Sequence, residues 1–145
     1  MWLAAIILRE PPKMVRNPKV STALGPLEGR IMELLWPHGD ATVAWVAERL
    51  GRKKQPAYTT VMTVMARLTT KGLLSRRLQG RAYVYRPAKT KIEFLADTSR
   101  TRVRALVRDF GDVALAHFAQ ELEQTDPEHL QRLRTFLKTA DRDAQ

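Results

Sequence analysis

Basic side chains that could bind phosphates are concentrated in one segment of this sequence. Residues 51–90 contain ten Lys and Arg residues and no Asp or Glu, whereas residues 1–50 and 91–145 carry nearly balanced charges of +1 and −1. Each Lys or Arg placed on a phosphate releases a condensed counterion, so the natural partner of such a surface is a polyanion. A solvated face that only keeps the protein in solution is the alternative. The ten residues are Arg52, Lys53, Lys54, Arg67, Lys71, Arg76, Arg77, Arg81, Arg86 and Lys89.

A second pattern in this segment places side chains suited to reading DNA bases on one side of a helix. At 100° per residue, Thr60, Thr63, Arg67 and Thr70 fall within an arc of about 80°. Thr can hydrogen-bond to a base edge or place its methyl group against that of thymine, and Arg can pair with guanine through two hydrogen bonds. A Thr-rich helix face without a function is the alternative. The opposite, apolar face consists of Val61, Val64, Met65 and Leu68.

Three helices and a β-hairpin are predicted to position these side chains. Apolar residues recur at helical spacing in three stretches, and two short extended runs joined through Gln79-Gly80 follow them. Three helices followed by a hairpin are typical of a winged helix-turn-helix, whose third helix enters the major groove. The predicted bounds are Leu24 to Trp36-Pro37, Thr42 to Gly51 and Pro56 to Gly72 for the helices, and 73–77 and 82–86 for the strands.

The remaining residues are predicted to form a separate helical domain. Three short amphipathic stretches follow residue 90 and carry no net basic excess, which favours oligomerisation over DNA contact. A cover for the winged core is the alternative. The predicted fold is therefore mainly α with a small β-hairpin wing: a flexible extension over 1–22, a DNA-binding domain over 23–89 and a three-helix dimerisation domain over 90–145. The residues expected at the dimer interface are Leu106, Phe110, Leu115, Phe118, Leu122, Leu130, Leu133, Phe136 and Leu137.

Composition and motifs exclude several classes of function. The sequence has no cysteine, so disulfides, thiolate zinc sites and cysteine nucleophiles are excluded. No phosphate-binding glycine loop or nucleophile elbow is present, and the three histidines fall in separate elements, so we expect neither catalysis nor a cofactor. No apolar run is long enough to cross a membrane, and we expect a cytoplasmic, nucleoid-associated protein without membrane insertion.

Three segments resemble the penicillinase-repressor family, the BlaI and MecI group with its copper-responsive relatives. They are Leu27–Trp36 (LEGRIMELLW), Ala57–Leu74 (AYTTVMTVMARLTTKGLL) and Tyr83-Val84-Tyr85, within a match from about residue 23 to 140. The resemblance implies a homodimeric winged-helix repressor that binds an inverted-repeat operator in double-stranded DNA. It also implies that a membrane sensor-protease pathway, responding to β-lactam or cell-wall stress, leads to cleavage of the repressor within its dimer domain.

The same resemblance implies roles for particular residues. Recognition-helix contacts fall on Thr60 and Thr63, and Thr59 stands where related sequences carry a lysine. The cleaved Asn-Phe bond of staphylococcal-type members corresponds to His117-Phe118, so His replaces Asn at the proposed cut. The cysteine-rich motif of the copper-responsive members is missing, which excludes copper sensing by that route. The complete set of expected DNA-binding residues is Tyr58, Thr59, Thr60, Thr63, Arg67, Lys71, Arg76, Arg81, Lys53 and Lys54.

Other interpretations of the sequence remain open. The effector of a winged-helix regulator could be a small molecule bound between the C-terminal helices. It could also be a metal ion held by His117 and His129 with Glu121 or Asp126, although a single His on a helix is more often part of the surface or core. A non-specific architectural protein would use the basic segment without reading bases, and its binding would depend steeply on salt.

Overall fold

The computed structural model describes residues 20, 23–51, 55–125 and 127–143. The described residues up to Ser99 form one compact unit, and those from Arg100 onward form a second. The prediction of a mainly helical fold with a small antiparallel hairpin is confirmed. The helices are α1 (Pro26–His38), α2 (Val43–Arg49), α3 (Tyr58–Thr70), α4 (Lys91–Phe110), α5 (Asp112–Thr125) and α6 (Pro127–Asp143). The strands are β1 (Ala41–Thr42), β2 (Leu74–Gln79) and β3 (Ala82–Pro87).

Helix α1 runs slightly further than its sequence predicts. Pro37 lies inside its last turn instead of ending it, and the helix continues to His38. A proline there removes only one backbone donor, and Gly39, with a φ of 88°, closes the helix by donating its N–H to the Leu35 carbonyl oxygen at 2.8 Å.

The predicted cap of α2 at Thr42 and the predicted stop of α3 at Gly72 are confirmed, whereas α3 begins at Tyr58, two residues after the predicted start at Pro56. The Thr42 hydroxyl accepts a hydrogen bond from the Trp45 N–H at 3.2 Å and caps α2. At the end of α3, Gly72 has a φ of 75°, and Leu73 donates its N–H to the Leu68 carbonyl oxygen at 3.0 Å. This is the hydrogen-bonding pattern of a Schellman motif, which needs a residue in the left-handed conformation.

The sheet has the strand order β1-β3-β2, and all its pairs are antiparallel. Gln79 pairs with Ala82 across the two-residue loop Gly80-Arg81, and Gly80 has a φ of 64°. Strand β2 extends two residues beyond its predicted end. The two residues of β1 were not predicted as a strand, because so short a run has no periodicity of its own.

The core of the first unit lies between α1, α2, α3 and β3 and extends past the predicted domain bounds. Val20 and Phe94 are 3% and 7% exposed and belong to this core, although the sequence places them in the extension and in the dimer domain. The Val20 carbonyl oxygen accepts the backbone N–H of Leu24 at 3.1 Å, and the Phe94 ring lies 5.7 Å from that of Trp36. The buried apolar surface of the first unit therefore includes residues on both sides of the predicted 23–89 domain. Residues 1–19 of the predicted extension lie outside the described part of the chain.

The described residues of the second unit are helical apart from the turn at Gly111, and they form little core of their own. Helices α5 and α6 pack together within it, and Ala114 is its one buried apolar residue among those described. Asp112, a predicted cap, is the first residue of α5, while Asp126 falls outside the described residues. None of the described helices combines the length and the apolar character that a membrane crossing requires.

Candidate nucleic-acid interface

Helix α3 separates a buried face from an exposed polar face, as its sequence predicts. Thr59, Thr60, Thr63 and Arg67 are exposed. Met62 is also exposed on this helix, at 44%, and was not among the predicted contacts. Its position away from the apolar stripe could have indicated this exposure. The buried residues of α3 are Val61, Val64, Met65 and Leu68.

Two hydroxyl groups of this face, those of Thr63 and Thr70, already have backbone partners. Thr63 donates to the Thr59 carbonyl oxygen at 2.9 Å, and Thr70 donates to that of Ala66 at 3.3 Å. A threonine whose proton is used in this way still has an oxygen able to accept a hydrogen bond and a methyl group. The face therefore offers acceptors and methyl groups on short side chains, which allow a close approach of the helix to base edges.

The end of α3 is tied to the start of α1 through a buried carboxylate. Glu28 accepts hydrogen bonds from Lys71 Nζ at 2.7 and 3.0 Å and from the Gly25 N–H at 3.1 Å. The Lys71 ammonium group holds the pKa of Glu28 below its ordinary value. Lys71, an expected DNA contact, therefore has an intramolecular partner that ties the end of α3 to α1, and its contact with DNA stays a prediction.

One face of the hairpin carries an arginine beside an aromatic ring. The Arg76 guanidinium lies 4.4 Å from the centre of the exposed Tyr83 ring, and Arg76 is paired with Tyr85 across the strands. Arg81 lies at the exposed tip, and no carboxylate of the described chain lies within ion-pair distance of it. Arg81 is therefore available to an external anion, and Arg76 is exposed beside the Tyr83 ring.

The opposite face of the hairpin carries two arginines that share one carboxylate. Arg86 donates to Asp40 through Nε at 2.6 Å and through an amino group at 3.2 Å, and Arg77 donates to the same carboxylate at 2.9 Å. The pKa of Asp40 is lowered, mainly by the hydrogen bond from Arg86. Sequence reasoning missed this cluster, because Asp40 precedes its partners by 37 and 46 residues and lies outside the basic segment.

The remaining predicted contacts fall in the loop between α2 and α3. Lys53 and Lys54 lie outside the described residues, so their contact with DNA stays a prediction. The residue that follows them, Gln55, donates its side-chain amide to the Ala47 carbonyl oxygen at 3.1 Å and attaches the loop to α2. Tyr58, at the first position of α3, is 53% exposed.

The residues predicted for dimerisation lie on the helices of the second unit. Of these residues, Phe110 is 62% exposed, and Leu122, Leu130 and Leu133 are half-buried. A groove of about 380 Å³ contains both His117 and Phe118, the residues of the predicted cleavage site. Its lining consists of Leu106, Phe110, Val113, Ala114, His117, Phe118 and Glu121. The large apolar side chains that stay exposed in this unit are Val103, Leu106, Val107, Phe110, Val113, Leu115, Phe118, Phe136 and Leu137.

The zinc alternative receives no geometric support from the described part of the chain. No three His, Asp or Glu side chains there are placed to hold a metal ion together. His117 and Glu121 are one helical turn apart on α5, and Asp126 is not described.

Comparison with known proteins gives a family match over most of the chain. The family model described as "Penicillinase repressor" matches residues 24–139. The transcriptional regulator BlaI of Mycobacterium tuberculosis (strain ATCC 25618 / H37Rv) is 35% identical over 114 residues, which are 77% of this chain and 82% of the relative. The penicillinase repressor of Bacillus licheniformis is 30% identical over 74 residues, 51% of this chain and 55% of that protein.

Solved structures with a similar arrangement include DNA-binding domains. The solution structure of the DNA-binding domain of the repressor BlaI is 26% identical, covers 48% of this chain and 85% of its own, and gives a TM-score of 0.44. The CopR repressor structure is 33% identical over 39% of this chain and 83% of its own, with a TM-score of 0.37. On the family model and the 35% identity with the mycobacterial BlaI, this chain belongs to the penicillinase repressor family.

Proposed function

We propose that this protein is a transcriptional repressor that binds an inverted-repeat DNA operator as a homodimer. The observation that carries the proposal is the exposed face of α3, where Thr60, Thr63 and Arg67 lie opposite a fully apolar stripe. The curated relatives that match the chain are named as a transcriptional regulator and a penicillinase repressor.

In the proposed complex, α3 lies in the major groove and the hairpin lies beside it. Thr60 and Thr63 read base edges and thymine methyl groups, and Arg67 pairs with a guanine or a phosphate. Arg81 at the hairpin tip contacts the neighbouring backbone or minor groove, which fixes the position of the protein without reading the sequence. The Glu28–Lys71 ion pair, with its 2.7 Å contact, orients α3 against α1.

Self-association through the second unit supplies the symmetry that an inverted repeat requires. Contiguous exposed apolar side chains mark association surfaces in proteins that are otherwise well packed. Phe110, Leu115 and Leu137 are each more than half exposed on the helices of this unit. A two-fold dimer formed here would present two copies of α3 to two half-sites.

Cleavage between His117 and Phe118 is the proposed means of release. Both side chains are exposed on α5 and line the apolar groove, so the bond lies in the unit proposed to join two copies. Because two linked DNA-binding modules gain from their high effective concentration, separation of the copies weakens operator binding. Mass spectrometry of the protein from β-lactam-treated cells should detect fragments that end at His117 and begin at Phe118. An intact chain in cells that have lost repression would contradict this mode of release.

A small-molecule effector is a second candidate, favoured by the groove of about 380 Å³ in the second unit. Its lining is apolar except for His117 and Glu121, a composition typical of sites for small organic ligands. Dose-dependent release of DNA by a metabolite, with the chain intact, would support this candidate over proteolysis.

Capture of genomic fragments tests the repressor function. Purified full-length protein is mixed with sheared genomic DNA at near-physiological salt, and the bound fragments are sequenced. We expect enrichment of a few promoters that share one inverted repeat. Uniform capture without a motif would instead indicate an architectural DNA-binding protein.

A further inference from the structure

Asp40 is the carboxylate that neutralises arginines of the hairpin. It receives a two-point contact from Arg86, at 2.6 and 3.2 Å, and a single contact from Arg77 at 2.9 Å. The guanidinium fork that binds a carboxylate through two hydrogen bonds binds a phosphate in the same way. Asp40 therefore makes with these two arginines the kind of contact that guanidinium groups also make with a phosphate.

The backbone around Asp40 is held in place on both sides. Before it, the Gly39 N–H donates to the Leu35 carbonyl oxygen at 2.8 Å and closes α1. After it, Ala41 pairs with Tyr85, so β1 is fixed to β3. The carboxylate is thus held beside β3 by the fold itself.

The carboxylate reduces the repulsion between the two arginines, which lie close together on one face of the sheet. Ser75 is opposite Arg86 and Arg77 is opposite Val84, which makes the two arginines diagonal neighbours across β2 and β3. Like charges at such positions repel each other. Their side chains are 61% and 62% exposed, whereas that of Asp40 is 30% exposed, so the cations are accessible to solvent and to an external anion.

We infer that Asp40 acts as an internal phosphate substitute that limits the affinity of the hairpin for DNA of any sequence. The inference rests on the proposed DNA-binding function and names a residue that sets its sequence-independent affinity. A phosphate can bind Arg77 and Arg86 only by displacing or sharing Asp40, whereas Arg81 has no competing carboxylate among the described residues. Since each phosphate contact strengthens binding to any duplex, restraint of two cations lowers the affinity for DNA of every sequence.

The substitution Asp40→Asn tests this inference in the full-length protein. Affinity for a random duplex is measured by fluorescence anisotropy over a series of salt concentrations. Because two arginines become available, we expect random-DNA binding to tighten by about tenfold at low salt, and the slope of log K against log salt to steepen by one to two phosphate contacts, each worth about 0.9. Affinity for the operator should rise by a similar factor, because a phosphate contact carries no sequence information.

Two further variants distinguish the release of Arg77 and Arg86 from the effect of a general change in net charge. Glu33→Gln makes the same change of one unit but releases only Lys91, whose Nζ lies 2.9 Å from Glu33, and we expect less than a twofold change with this variant. In a background that carries both Arg77→Ala and Arg86→Ala, Asp40→Asn should have no more effect than Glu33→Gln. Thermal unfolding of each variant confirms that the fold is intact.

A comparison of two arginine variants that keep Asp40 tests the inference even if the Asp40 variant does not fold. If Asp40 restrains Arg77, Arg77→Ala should weaken random-DNA binding less than Arg81→Ala does. Unchanged or weaker binding by folded Asp40→Asn, or an equal loss for the two arginine variants, would overturn the inference while the wild-type protein still binds DNA. If the wild-type protein binds no DNA even at low salt, the proposed function itself is wrong and the inference is wrong with it.

Discussion

The two units of the chain differ in how completely each buries its apolar side chains. The first unit encloses a core that includes Ile31, Met65, Leu68 and Tyr85, each 2% exposed or less. The second has Ala114 as its single buried apolar residue within the described segments, and it exposes several Leu, Val and Phe side chains. A domain with a closed core can be stable alone, whereas a helical unit with so much exposed apolar surface gains stability by covering it. The difference indicates a first unit with a complete core of its own and a second unit whose exposed apolar surface is suited to association.

Charge follows the same division between the ends of the chain. The basic segment 51–90 lies within the first unit, whereas residues 100–145 of the second unit carry eight Lys and Arg residues and eight Asp and Glu residues. A near-neutral second unit contributes little attraction to a polyanion. In the proposed function, DNA binding and self-association are therefore carried by different residues, and substitutions should separate the two properties.

The largest expected effect comes from a charge placed on the apolar surface of the second unit. Phe110→Glu would put a carboxylate into the proposed dimer interface, where its desolvation is costly. We expect a monomer at micromolar concentrations and a loss on the order of a hundredfold in affinity for a complete inverted repeat. Sedimentation equilibrium and anisotropy measure the two effects.

The exposed Gln120 on α5 provides the matched control for this prediction. Gln120→Glu adds the same charge outside the groove lining and should leave both the dimer and the affinity unchanged. A Phe110→Glu protein that remains dimeric would exclude this face as the association surface.

A smaller and more selective effect is expected on the reading face of α3. Thr63→Ala removes a hydroxyl and a methyl group proposed to contact a base, so operator binding should weaken by about 1–3 kcal/mol with random-DNA binding nearly unchanged. Titrations on both duplexes measure the difference. Thr135→Ala is the control, because Thr135 is also exposed and also donates to a carbonyl oxygen one turn earlier, that of Gln131 at 3.0 Å. Equal losses on operator and random DNA would rule out Thr63 as a base reader.

The smallest effect is expected at the tip of the hairpin. Arg81→Ala removes one proposed phosphate contact, so operator and random binding should weaken alike and the salt slope should fall by about one. Arg134→Ala in α6 removes the same charge from an exposed position of the second unit and should leave the salt slope unchanged. An equal fall of the salt slope in the two variants would contradict the assignment of DNA binding to the first unit.

Local patterns predicted most of the first unit, and long-range pairs account for what they missed. The apolar stripe of α3, the Thr42 cap and the turn at Gly72 depend on neighbours a few residues away, and the structure confirms them. Val20 and Phe94 were assigned outside the winged domain, because their burial depends on contacts that only the folded chain brings together.

Long-range contacts also change the meaning of the charge count. The segment 51–90 contains no acid, yet Glu28 and Asp40 from outside it pair with Lys71, Arg77 and Arg86. Sequence spacing cannot show which cations are neutralised in this way. The set of basic residues without a carboxylate partner is therefore smaller than the sequence indicates.

The most direct test of a DNA-binding unit joined to a dimerisation unit compares binding to a complete inverted repeat with binding to a single half-site. Full-length protein is titrated onto both duplexes at near-physiological salt, with the repeat taken from the captured promoters. The account predicts two chains per repeat and binding to the half-site that is weaker by about a hundredfold or more. One chain per duplex with equal affinity for the two duplexes would contradict it.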